Sequence, residues 1–79
     1  MKKLKFTYEE QRDYEKIEGD IAALEEKIEL LEKEMTAVST DFVKLNQLMA
    51  DKEVTENMLE EKMDRWMYLE DLAAKIAKQ

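Results

Sequence analysis

Apolar residues in the first half of the chain fall at Tyr14, Ile17, Ile21, Leu24, Ile28, Leu31, Met35 and Val38. The steps alternate three and four residues without a break, the a/d spacing of a heptad repeat, so these side chains share one stripe of a helix. The flanking positions are charged or small, Glu25, Glu26, Lys27, Glu29, Glu32 and Lys33 among them. Such a narrow stripe suits one partner helix rather than a globular interior. Ser39, Thr40 and Asp41 follow, short polar side chains that compete for backbone hydrogen bonds and predict a turn and a new N-cap. A second seam then runs through Leu45, Leu48, Lys52, Thr55, Leu59, Lys62, Trp66, Leu69, Ala73 and Ile76. Lys52, Thr55 and Lys62 dilute it, and Met49, Met58, Met63, Met67 and Leu72 widen its flanks.

The first helix has a start signal. Thr7 at the N-cap is spaced to accept from the Glu10 amide while the Glu10 side chain returns to the Thr7 amide, a capping box. Gly19 falls at an outward f position, where it leaves the seam intact but marks a possible kink. A turn this short forces the helices antiparallel. The expected fold is all-α: an antiparallel two-helix coiled-coil hairpin with a short N-terminal capping segment. It is one domain over residues 1–79, with helices at 8–38 and 42–78 and the turn at 39–41. Under hairpin geometry, contacting positions sum to about 80–83. Leu31 then lies near Lys52, Ile28 near Thr55, Leu24 near Leu59 and Ile17 near Trp66. Phe6 and Tyr8 approach Leu72 and Ile76, so Phe6, Tyr8, Tyr14, Trp66 and Tyr68 gather at the open end as a hydrophobic lock. The middle is expected to be soft, because Lys52 and Thr55 face aliphatic residues. Glu29–Lys33, Glu61–Arg65 and Asp71–Lys75 are spaced for surface ion pairs.

Composition narrows the function. The chain has 79 residues, 42% of them charged and 44% hydrophobic, with no Pro and one Gly. The charge fraction invites disorder, but disordered segments carry no periodic apolar seam. The absence of Cys and His removes disulfides, thiolate nucleophiles, the usual zinc ligands and the side chain best suited to proton transfer near neutrality. Adjacent carboxylates such as Glu9–Glu10, Glu25–Glu26 and Glu60–Glu61 lack a pocket to perturb them and read as solvated faces. One Gly excludes glycine-rich phosphate-binding loops. No twelve-residue calcium loop is present. No apolar run approaches the ~20 residues that span a bilayer. A soluble, non-catalytic protein without a cofactor of its own is expected, and the lack of Cys fits the reducing cytosol but would also fit other compartments.

The net charge of −7 works against nucleic-acid binding, which depends on neutralising phosphates with Lys and Arg. The distribution is uneven, however. When the hairpin closes, Lys2, Lys3 and Lys5 meet Lys75 and Lys78, and the open end is basic while the face between Glu9 and Glu34 is acidic. With Arg12, these lysines are the candidate nucleic-acid-binding residues. The other reading is that terminal lysines complement the helix C-terminus and aid solubility.

The segment Lys3-Leu4-Lys5-Phe6-Thr7-Tyr8-Glu9-Glu10-Gln11-Arg12-Asp13-Tyr14-Glu15 resembles the opening of the C-terminal domain of ABC-F (Uup-like) ATP-binding cassette ATPases. Arg65-Trp66-Met67-Tyr68-Leu69 is similar to the element that closes the second helix in that family, and Ser39 to Leu45 is similar to its turn. The resemblance runs from about Leu4 to Ile76. The chain departs from it at Glu18, where members often carry Pro. The resemblance implies a C-terminal fragment of a larger cytoplasmic protein, whose ATP and magnesium bind in cassettes that this sequence lacks. It also implies an accessory arm that contacts DNA or ribosomal RNA and positions the ATPase cassettes. The alternative is a structural or protein-interaction coiled coil, including a homodimer, that docks through its acidic stripe or Met-rich flank.

Overall fold

Local signals set both helices in the computed structural model, which describes residues 3–79. Helix α1 spans Tyr8–Ala37 and α2 spans Phe42–Lys78. The capping box forms as the sequence predicts: the Glu10 amide donates to Thr7 Oγ1 at 3.2 Å, and the Thr7 amide donates to Glu10 Oε1 at 2.9 Å. Glu9 and Glu10 lie in the first turn, against the positive end of the helix dipole. The first helix ends one residue earlier than expected, because Val38 leaves helical geometry and becomes the C-cap, its amide donating to the Glu34 carbonyl. The Asp41 amide donates to the Val38 carbonyl at 2.9 Å, which closes the turn. Asp41 then caps α2 by accepting from the Lys44 amide at 3.2 Å. Gly19 does not interrupt α1.

The two seams face each other. All the predicted a and d residues of both helices are buried or half-buried. Ile17, Leu69 and Thr55 are closed off almost completely, and Leu31 nearly so. The polar residues of the second seam are accommodated rather than left facing aliphatics. Thr55 is small enough to sit where the helices approach, and its hydroxyl donates to its own helix at the Asp51 carbonyl, 2.7 Å away. Lys52 and Lys62 bury their stems and carry their amines out to Glu32 (3.5 Å) and Asp20 (3.4 Å) on α1. The middle expected to be soft therefore contains one of the most buried residues of the chain.

Two other expectations change. Arg65 does not pair with Glu61 but reaches across to Asp13 at 3.3 Å, because both occupy g positions, which face each other across an antiparallel seam. Asp71–Lys75 does form, at 3.0 Å. The aromatic lock is smaller than predicted. Phe6 and Tyr14 pack with ring centroids 5.1 Å apart, and Trp66 is half-buried. Tyr8, by contrast, is 80% exposed. The buried seam at Tyr14 and Ile17 sets the helix rotation, so Glu10, four residues before Tyr14, faces α2, and Tyr8, two residues earlier still, lies on the opposite side. The result is a rod of 63 × 16 × 14 Å.

Candidate functional site

The open end is where separated parts of the sequence are tied together. The Leu4 amide donates to Gln79 Oε1 at 2.7 Å, and Gln79 Nε2 donates back to the Leu4 carbonyl. This two-bond clasp lays the segment before α1 against Gln79, the C-cap of α2. Lys3 and Lys5 flank Leu4 on that segment and are exposed. Lys75 and Lys78 occupy the last turn of α2, beside the negative end of its dipole. The clasp therefore brings Lys3, Lys5 and Lys78 to one tip. Lys75 joins them, but its amine is paired with Asp71. Arg12 is also exposed, on the outward face of α1 rather than on the tip itself. Lys2 lies outside the described residues.

Beneath the tip sits a polar network that the sequence reading did not single out. Tyr68 donates its hydroxyl to Glu10 Oε2 at 2.6 Å. The other oxygen of the same carboxylate closes the capping box, so Glu10 joins the start of α1 to α2. The Arg65 guanidinium lies 5.2 Å above the centre of the Tyr68 ring while its nitrogens reach Asp13. The signal for this network was available: the antiparallel register already set residues near 10 opposite residues near 70.

The titration behaviour follows from these bonds. The Thr7 amide and then the Tyr68 hydroxyl hold the Glu10 carboxyl below the usual carboxylate range. Reciprocally, the Glu10 carboxylate raises the Tyr68 hydroxyl above the ordinary phenol value, and Glu70 does the same for Tyr14. The largest cause in each case is a hydrogen bond at the surface. None is the desolvated pocket that tunes a catalytic acid or base. Among the described residues, no group of three or more carboxylates is arranged to hold a metal ion. Among the same residues, no helix is long and apolar enough to cross a membrane.

The structure is a two-helix rod with a clasped tip bearing lysines, shallow grooves and surface carboxylates. The chain belongs to the ABC transporter C-terminal domain family, whose model matches residues 5–71. It is 44% identical over 68 residues to an uncharacterized ABC transporter ATP-binding protein, YfmR, of Bacillus subtilis (strain 168). The match covers 86% of this chain and 11% of that protein. No solved structure matches the chain. The chain is thus an all-helical member of that C-terminal domain family, and it spans about a tenth of the length of that relative.

Proposed function

We propose that this domain is the C-terminal accessory arm of a soluble, cytoplasmic ABC-F type ATPase, and that its clasped tip contacts DNA or ribosomal RNA and so positions the ATPase. ATP and magnesium bind in cassettes outside this chain. The supporting observation is the clasp between Leu4 and Gln79, which collects lysines from both termini at one end of a 63 Å rod. A cationic tip on a long acidic lever approaches a phosphate backbone end-on, while the carboxylates along the shaft keep the rod from lying along it. Lys3, Lys5, Lys75 and Lys78 neutralise phosphates, Arg12 and Lys2 add contacts, and none of them reads base sequence.

Fluorescence anisotropy with labelled duplex DNA and with a ribosomal RNA hairpin, over a range of salt concentrations, tests this reading. Binding is expected to weaken steeply with salt. Changing Lys3, Lys5 and Lys78 together to Glu should lower the log–log salt slope by about one per lysine lost. Absence of binding at low ionic strength refutes the nucleic-acid role.

A second reading rests on a different observation. Met49, Met58, Met63 and Met67 are all between about four-tenths and two-thirds exposed on α2. Such a flexible apolar set suits a protein surface that adapts to its partner, including a second copy of the domain. Sedimentation equilibrium at high protein concentration separates the homodimer from the monomeric arm.

A further inference from the structure

The two edges of the hairpin seam carry different charge. With Tyr14 and Leu45 as a positions, the e and b positions of both helices line one edge, and the g and c positions line the other. On the first edge α1 contributes Glu15, Glu18, Glu25, Glu29 and Glu32. There α2 adds Glu53, Glu56, Glu60 and Glu70. No Lys or Arg occupies an e or b position of either helix. The opposite edge mixes signs, with Lys16, Lys27, Lys44 and Arg65 beside Asp13 and Asp20.

The acidic edge is also grooved. Glu18, Ile21, Ala22, Glu25, Met63 and Trp66 line a shallow depression of about 310 Å³. The next depression, about 330 Å³, lies between Ile28 and Leu59 and shares Glu25 as a wall. The two form one track along the seam, apolar at its floor and carboxylate-rimmed. Ala22 keeps the α1 wall low, and Met63, 44% exposed, forms a pliable rim on α2. Lys52 reaches this edge from the seam, but it is committed to Glu32.

We infer that this track docks a basic amphipathic helix of a protein partner, with apolar residues on the Ile21–Trp66 floor and against the Met63 rim, and Lys or Arg against Glu18 and Glu25. Charge selects among the occupants. A nucleic acid or an anionic membrane is repelled by the glutamates, and a second copy would set one acidic edge against another. A basic helix alone gains both the burial of the floor and relief of the mutual repulsion along the rim. The inference does not rest on nucleic-acid binding, which uses the tip of the rod.

Trp66 is the sole tryptophan, so its emission reports directly on the floor of the track. The probe is a synthetic helix with Leu at i, i+3, i+4 and i+7 and Lys elsewhere; the control replaces every Leu with Ala. Saturable, blue-shifted Trp66 emission is expected with the Leu peptide and not with the Ala peptide. The double change Glu18→Lys and Glu25→Lys should weaken binding about tenfold, and Glu26→Lys with Glu61→Lys, an equal charge change off the track, by less than about threefold. Met63→Ala, which keeps every charge, should weaken it severalfold, with far-ultraviolet circular dichroism showing the helices intact. The inference is overturned by equal weakening from both charge pairs, or by equal binding of the Ala peptide. It is also overturned if duplex DNA shifts the Trp66 emission, or if the protein self-associates in a way that the Glu18 and Glu25 changes relieve.

Discussion

Glu10 does more than its place in a capping motif suggests. One carboxylate oxygen closes the capping box on Thr7 and the other receives the Tyr68 hydroxyl, so a local start signal is also a cross-helix tie. Its lowered pKa gives the sign of the pH effect. A carboxyl held lower in the folded state than in the unfolded one contributes stability above its unfolded value, and loses it as pH falls through the folded value. Glu10→Gln should therefore lower the melting temperature at neutral pH and flatten the acid limb of a thermal-melt series. Tyr68 and Tyr14 have the opposite sense: their raised hydroxyls contribute stability below the ordinary phenol value, and it disappears as pH rises through the folded values. Gly19 offers a simpler test. Apart from its chain neighbours and its own helix backbone, nothing lies within 4 Å of where its Cβ would be, so Gly19→Ala should stabilise by about 1 kcal/mol in urea unfolding. The Trp66 Nε1 donor is buried without a partner in the described chain. Replacing Trp66 with Phe keeps most of the apolar contact and removes that donor, so it should cost far less than Trp66→Ala.

For the helices, the question is how a narrow seam with two lysines holds together. Few side chains are closed off completely, and Leu69 at 0% exposure is one of them. Leu69→Ala should cost about 2–5 kcal/mol, and in so thin a core that loss should be visible as lost helical ellipticity. The cross-helix ion pairs are partly exposed, each with at least one side chain above a third accessible. They contribute about 0–1 kcal/mol apiece and set register more than stability. Lys62→Leu should accordingly stabilise the hairpin, since it puts an aliphatic residue at a d position and leaves Asp20 at the surface. Every residue that the heptad arithmetic turned inward is buried or half-buried. What it could not see was how Lys52 and Lys62 would be tolerated, because that depends on Glu32 and Asp20 lying within reach across the seam.

At the scale of the molecule, shape and charge support the proposed function. A radius of gyration of 17.7 Å is well above the ~12 Å of a globular chain of this length. Small-angle scattering should return a rod, and a compact particle would contradict the hairpin. The resemblance to a C-terminal accessory domain was legible from the opening Phe6-Thr7-Tyr8-Glu9-Glu10 and the closing Arg65-Trp66. The chain's membership of the ABC transporter C-terminal domain family bears it out. The open-end lysines were legible as charges that meet when the hairpin closes; the Leu4–Gln79 clasp was not, because a single glutamine carries no pattern.

The sequence by itself determined the two helices, their seams, the capping at Thr7 and Asp41 and the antiparallel turn. These follow from spacing along one chain and from hydrogen bonds a few residues apart. Tertiary structure decided which partners the long polar side chains take: Arg65 turning from Glu61 to Asp13, Tyr68 closing on Glu10, and Tyr8 left in solvent. It also turned glutamates scattered through both halves into one acidic, grooved edge. The reason is geometric. A helix fixes its own stripe, but what faces that stripe, and which charges lie beside it, depends on the register and rotation of the other helix.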